Sequence, residues 1–345
     1  MSHKLSLISI FITSGLLAAC QKADTPPIQE KEANHQHAAN QTPAIPAICN
    51  TVEQQLSVLK KTFSAQKLLN LNQNFKTCLP FVPLKTRYQW LEKSADIYQQ
   101  LNISASANVY KYLTNQSEAG ETLSANEKST IYKQLGTAEK YLVDHAKALY
   151  LEKFYIGEGE YTFTRNPQYD LDIFAPHLEK SDQLYLQQIR KEYTGQNYIL
   201  DAGLSISFDE VANRLLFWEN FNTQYPKSHF HTDVKDNIDS YREALFKGDD
   251  NTPVLLYMEQ QFADPEAIQA INKVANATTS SSPLAKQILS LIQTKKAEWA
   301  QLPEPEMQED GGEQLPEQQQ AQALRDQFQS NLSRQIDLLI KNTVK

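Results

Sequence analysis

The chain has 345 residues, a formal net charge of −8, 41% apolar and 21% charged residues, and 10 glycines. That length suits one large domain or two small ones, and the composition excludes a wholly disordered chain and a glycine-rich phosphate cradle. The acidic balance argues against nucleic acid, whose affinity rests on Lys and Arg contacts to phosphate, and against electrostatic binding to an anionic bilayer.

Met1–Lys4 is a short basic start, and Leu5–Ala19 is an apolar run that ends in small residues. The run is shorter than the roughly 18 residues of a membrane span and matches the apolar core of a signal peptide. Leu17-Ala18-Ala19-Cys20 resembles the lipobox of bacterial lipoproteins at all four positions. The resemblance implies cleavage before Cys20, acylation of that cysteine and, because Gln21 rather than aspartate follows it, an outer-membrane anchor facing the periplasm. Stable anchoring needs two or more acyl chains at about 0.8 kcal/mol per buried methylene, so a triacylated cysteine holds without a membrane span. Residues 20–47 then read as a tether rich in Pro, Gln, Asn and Ala with no apolar period. His35 and His37 fall within it and read as solvated linker rather than as a metal site.

With Cys20 taken by lipid, Cys49 and Cys78 remain as an even pair. In an oxidising periplasm a disulfide is expected, with two buried thiols as the competing reading. Their spacing fits neither a CxxC redox motif nor a zinc pattern. Between them Val52, Leu56, Leu59, Phe63, Leu68, Leu71 and Phe75 recur at helical spacing, which predicts one helix closed back on its own start.

A helical domain is expected over residues 48–302. Tyr88, Leu91, Ala95, Tyr98 and Leu101 form the next stripe, and a shorter helix follows near Ala105–Leu113. Ser124 and Glu127 make an S-x-x-E capping box that opens a helix with Ile131, Leu135, Ala138, Leu142, Ala146 and Leu149 on one side. Ser207 and Glu210 form a second box, Phe230–Lys247 reads as a helix stopped by Gly248, and Asp264-Pro265 and Ser282-Pro283 open helices near 265–277 and 283–301. The stretches 155–178 and 197–207 break the helical rhythm, the first as a small hairpin or ordered loop. A Pro/Glu/Gln-rich linker is expected at 303–319. A C-terminal amphipathic helix over 320–345 has Leu324, Phe328, Leu332, Ile336, Leu339 and Ile340 on one side. The fold class is therefore all-α, either an irregular helical array or a tetratricopeptide-like solenoid of helix pairs.

Phe221, Tyr225, Pro226, Ser228 and Phe230 carry a second, local resemblance, to tetratricopeptide-like lipoproteins. Those proteins place an aromatic near a helix end, then a Tyr-Pro-x-Ser turn, then the next helix. The physical logic is independent: proline stops the first helix, and Ser228 is placed to cap the second.

Candidate chemistry is sparse. His229, His231 and Asp233 imitate part of an H-x-H-x-D metal signature, but they fall at a helix start, where His229 and Asp233 share a face and His231 does not. Glu158, Glu160, Asp170 and Asp172 are the acids a glycan-cleaving enzyme would need as a pair. Tyr161, Phe163 and Tyr169 of the 155–178 segment, with Trp218 and Tyr225, are the residues expected to line a binding groove. No cofactor fingerprint, nucleophile elbow or zinc-protease motif occurs. The sequence therefore favours a non-catalytic scaffold with an envelope protein partner over a cell-envelope hydrolase of glycan or peptide. A solute-binding importer component fits least, because strands and helices do not alternate.

Overall fold

The structure, a computed structural model, describes residues 44–117, 119–258, 261–304 and 316–343. Cys20, His35, His37, the first nineteen residues and most of the expected linker lie outside the described residues. Among the described residues the fold is all-α: thirteen helices, with three small two-stranded antiparallel sheets between them.

Cys49 and Cys78 are joined, with Cα atoms 5.4 Å apart. The chain between them forms two helices, not one: α1, Val52–Lys61, and α2, Ala65–Cys78. Thr62 and Ser64 are extended, and Ser64 Oγ accepts from Lys67 N at 3.4 Å, so a capping serine cuts the apolar stripe in two. The bridge thus closes a helical hairpin whose apolar faces, Leu56 and Leu59 with Leu68, Leu71 and Phe75, are buried.

The next helix, α3 (Leu84–Ser104), packs on α1. Ala95 is exposed and the inner stripe runs through Ser94 instead. That buried hydroxyl is satisfied, donating to Leu91 O at 2.7 Å and accepting from Arg165 Nη1 at 3.1 Å. Then come α4 (Ala107–Thr114), α5 (Ala125–Gln134) and α6 (Thr137–Asp144). The Ser124/Glu127 box caps α5 as expected. The single long helix expected beyond it does not continue, because Gly136 N donates to Glu139 Oε2 at 2.8 Å and starts α6 afresh.

The hairpin begins earlier than 155. Strands β1 (Leu151–Gly157) and β2 (Glu160–Arg165) pair antiparallel with Tyr155 opposite Tyr161 and a bulge before Gly157. The rest of the 155–178 segment is helix α7 (Gln168–Ile173) and a 3-10 turn, Ala175–His177. Helix α8 (Lys180–Glu192) follows; its inner face carries Asp182 and Gln188 and so shows no clean apolar period.

The C-terminal half is a series of helical hairpins. A tight turn, β3–β4 (Ile199–Leu200 and Gly203–Leu204), leads into α9 (Phe208–Gln224). Helix α10 (His231–Lys247) ends at Gly248, where the β5–β6 turn (Gly248–Asp249 and Thr252–Pro253) begins. Helices α11 (Pro265–Ala275), α12 (Ser282–Trp299) and α13 (Pro316–Thr343) complete the chain. Helix α9 packs on α10 and α11, α11 on α12, and α13 on α12 and α10. The last four residues of the expected linker, Pro316–Gln319, are helical. Leu324 is exposed; Arg325 beside it lies over the buried Trp299 ring at 4.4 Å, a cation–π contact that helps seat α13.

Of three expected caps, two differ in detail. Ser207 Oγ accepts from Glu210 N at 3.2 Å, but the Glu210 carboxylate turns to Arg214 Nε at 2.8 Å instead of closing a box. Asp264 caps α11 through Ala267 N at 2.9 Å, as expected. Helix α12 starts one residue early, at Ser282, with Ser281 at its cap position and turned to Glu219 at 2.6 Å.

Candidate functional site

The candidate acids do not meet as a catalytic pair. Glu158 sits at the exposed hairpin tip with φ +51°, its amide donating to Asp201 Oδ1 at 2.9 Å, and Glu160 is exposed at the start of β2. Asp172 accepts from Tyr150 Oη and Gln168 Nε2, both at 2.8 Å. Asp170 accepts from Arg165 Nη2 at 3.0 Å. Burial raises the Asp170 carboxyl above the usual carboxylate range, and the Arg165 charge opposes that rise. Arg165 also lies over the Tyr169 ring at 4.5 Å, and Tyr169 Oη donates to the buried Asn72 at 2.9 Å. This is a buried polar network knitting α2, α3, β2 and α7 together.

Nor does the expected aromatic groove form. Phe163, Tyr169 and Trp218 are core residues, each at most 1% exposed, because one face of the hairpin, the inner side of α7 and one stripe of α9 turn inward. Tyr161 stays half-buried on the hairpin, with Lys153 Nζ 3.5 Å above its ring. Trp218 packs on Tyr185 and Phe221. Tyr225 lines a cavity at the turn between α9 and α10.

That turn holds the best-built polar site. Its cavity, about 580 Å³, is lined by Tyr88, Asp182, Tyr225, Ser228 and His229 among others. Asp182, 1% exposed, is the hub. Its Oδ1 accepts from Ser228 Oγ at 2.6 Å, His229 N at 3.2 Å and Ser181 Oγ at 3.3 Å, and its Oδ2 accepts from Tyr88 Oη. Burial and the adjacent Asp182 raise the Tyr88 phenol, so it stays a donor. Ser228 therefore does not cap α10 with its side chain; it also accepts from Phe230 N at 3.2 Å and shapes the turn. Phe230 stacks on Tyr185 of α8 with ring centroids 4.1 Å apart, so the turn also docks on α8.

His229 stacks on Tyr88 at 3.9 Å and its Nε2 lies 3.0 Å from Glu92 Oε1. His231 opens α10 and Asp233 is exposed in its first turn. Among the described residues no group of three or more His, Cys, Asp or Glu is placed to hold a metal ion. The hydroxyl of Ser228 points at a carboxylate, while the imidazole beside it is engaged with Glu92. Ser228 and His229 therefore do not form a pair of hydroxyl nucleophile and imidazole base. Tyr88 and Asp182 were not legible as members of this site, since they lie 94 residues apart in sequence and neither belongs to a local motif.

Two further buried charge clusters are internal. Arg214 reaches Glu210 and Tyr241, and Tyr241 Oη donates to Glu192 Oε2 at 2.7 Å; burial raises the Glu192 carboxyl. Arg242 and Glu219, both under 5% exposed, pair at 3.3 Å, with Ser280 and Ser281 each donating to Glu219 at 2.6 Å. They lock α9, α10 and the start of α12 in place.

Among the described residues no helix is long and apolar enough to cross a membrane. Comparison of the chain with protein-family models, with curated proteins and with solved structures finds no match.

Proposed function

We propose that this chain is a lipid-anchored, periplasm-facing outer-membrane lipoprotein that serves as a non-catalytic scaffold or interaction module of the cell envelope. The observation that carries the reading is the Leu17-Ala18-Ala19-Cys20 stretch after a 15-residue apolar run. The joined Cys49 and Cys78 support it, because disulfides persist in an oxidising compartment. The non-catalytic half of the reading is supported by Asp172, Asp182 and Ser228, which are engaged with the protein's own donors and acceptors, and by Glu158 and Glu160, which stand exposed on the hairpin away from them. The packing of α9 with α10 and of α11 with α12 supports reading the chain as a helical array that presents a surface to a partner.

The test is direct. Wild-type protein should label with palmitate and fractionate with the outer membrane, and Cys20→Ser should do neither. A Cys20→Ser protein that still labels and stays with membranes removes the lipoprotein reading. In-cell crosslinking should then recover an envelope protein, while Glu158→Gln, Asp170→Asn and Asp172→Asn, where they fold, should leave the envelope phenotype intact. Loss of that phenotype from a folded acid variant would transfer the case to a hydrolase.

A further inference from the structure

A second cleft, remote in sequence from Asp182, lies between α10, the β5–β6 turn and α13. Its volume is about 660 Å³, inside the range of ligand-holding clefts. Its walls divide by chemistry. Ile199, 37% exposed, with the half-buried Leu255 and Tyr257 and the buried Ile336, makes an apolar floor. Glu243, Asp249 and Asp250 place carboxylates along the opening. Lys247 is the one cation among the described lining residues, and its Nζ is already 3.0 Å from Asp337 and 3.9 Å from Glu243.

We propose that this cleft binds a segment of a partner protein that presents a Lys or Arg beside an apolar side chain. The proposal rests on the reading of the chain as an interaction module and names the chemistry of its partner. Charge complementarity selects the cation: three carboxylates face one neutralised lysine, so the opening attracts positive charge and repels acidic segments. The apolar floor selects the neighbour, because a branched or aromatic side chain covers Ile199 and Tyr257 better than charge alone does.

The acidic turn is also held ready. Gly248 has φ +74° and ψ −149°, a conformation nearly confined to glycine, and a Cβ there would stand 2.1 Å from Thr252 O. Asn251 N donates to Ala202 O at 2.7 Å, and Thr252 Oγ1 accepts from Leu204 N at 2.8 Å, tying the turn to β3–β4. Tyr257 keeps φ +53°, unusual for a bulky residue, at the cleft wall. A site that does not reorganise loses less on binding.

The test uses detergent-solubilised full-length protein and a fluorescein-labelled peptide of alternating Lys and Leu, read by anisotropy. Binding should weaken with added salt and fall by about tenfold or more in Asp249→Asn/Asp250→Asn and in Ser333→Arg, which sets a competing cation at the opening. A remote pair, Glu121→Gln/Glu266→Gln, should change nothing. Alternating Glu–Leu and Lys–Ser peptides should bind at least about tenfold more weakly, and spermine should not compete at equal charge. Circular dichroism confirms that each variant is folded. No binding, equal loss in the remote pair, or equal binding of the Lys–Ser peptide or spermine overturns the proposal. If in-cell crosslinking still captures an envelope protein after such a result, the interaction-module reading stands and this cleft alone is discarded; if neither succeeds, both fall.

Discussion

Ser228 Oγ donates to Asp182 Oδ1 at 2.6 Å, joining the α9–α10 turn to the first turn of α8 across 46 residues of chain. Tyr88 of α3 meets the other carboxylate oxygen, so three separate elements converge on one buried acid. Asp182→Ala removes the acceptor from Tyr88, Ser228 and the His229 amide at once. Each buried donor left unpaired costs about 1–3 kcal/mol, reduced here where the cavity admits water, so a loss of about 2–4 kcal/mol is expected. For a chain of this size that lowers the melting temperature by roughly 3–6 °C. Lys227→Ala, at an exposed neighbour, should move it by less than about 2 °C. Equal effects from the two variants would mean that Asp182 does not pin the turn.

The glycines at two turns make a controlled pair. Gly248 and Gly159 share nearly the same φ, +74° and +78°, yet a Cβ on Gly248 meets the Thr252 carbonyl at 2.1 Å while one on Gly159 meets nothing within 4 Å. Gly159→Ala therefore carries only the backbone strain of a positive φ, about 1–2 kcal/mol. Gly248→Ala carries that strain plus a collision with backbone that cannot move without opening the β5–β6 turn. It should cost at least about 3 kcal/mol or leave the chain unfolded. Urea titration of the two variants beside wild type decides the order.

The elements that sequence pattern located well are those with hard chemical stops. Gly248 ends α10 because few other residues adopt its conformation, and Asp264-Pro265 begins α11 because the aspartate caps and the proline needs no donor. The breaks that pattern missed are local hydrogen bonds inside continuous apolar stripes. Ser64 splits the first helix and the Gly136–Glu139 contact splits another, and neither disturbs the period of Leu and Phe. Helix α8 is hard to see in the sequence for the opposite reason, since its buried face holds Asp182 and Gln188. The same logic governs the candidate site. Tyr225 and His229 belong to a readable turn, whereas the acid that organises it is supplied by tertiary packing. Aromatic content points Phe163, Tyr169 and Trp218 toward a groove, whereas packing buries all three in the core.

Tyrosine burial gives the fold a defined alkaline limit. Burial pushes Tyr150, Tyr193 and Tyr257 up to about 12, and it also raises Tyr98, Tyr169, Tyr185 and Tyr241. The fold therefore favours the protonated phenols. Their contribution to stability is complete below the ordinary tyrosine value near 10 and is lost as pH rises through the raised values. Urea midpoints should fall steadily from pH 10 to pH 12. Absorbance at 295 nm should rise in two waves, the exposed phenols first and the buried ones together with unfolding. A single wave near pH 10 with the far-ultraviolet signal intact would contradict the burial.

The Cys49–Cys78 bridge closes a loop with a sequence separation of 29, and both cysteines are buried. Loop closure acts mainly on the unfolded chain, so opening the bridge should cost about 3–4 kcal/mol in the chain-entropy account. The native helices do not depend on it directly, because α1 and α2 hold their contact through buried apolar faces and α3 packs on α1. Cys49→Ala/Cys78→Ala should therefore keep its helical circular dichroism at 25 °C. It should unfold at lower urea with a larger slope, since an unclosed chain exposes more surface. Burial of both sulfurs predicts slow reduction of the native protein, with the bridge opening mainly after local unfolding of the hairpin. Thiol titration fixes the starting state: denatured, unreduced Cys20→Ser protein should show no free thiol, and two would mean that Cys49 and Cys78 are unbridged. If the bridge is present but its removal shifts neither midpoint nor slope, the unfolded chain is already constrained near residues 49 and 78 by other contacts.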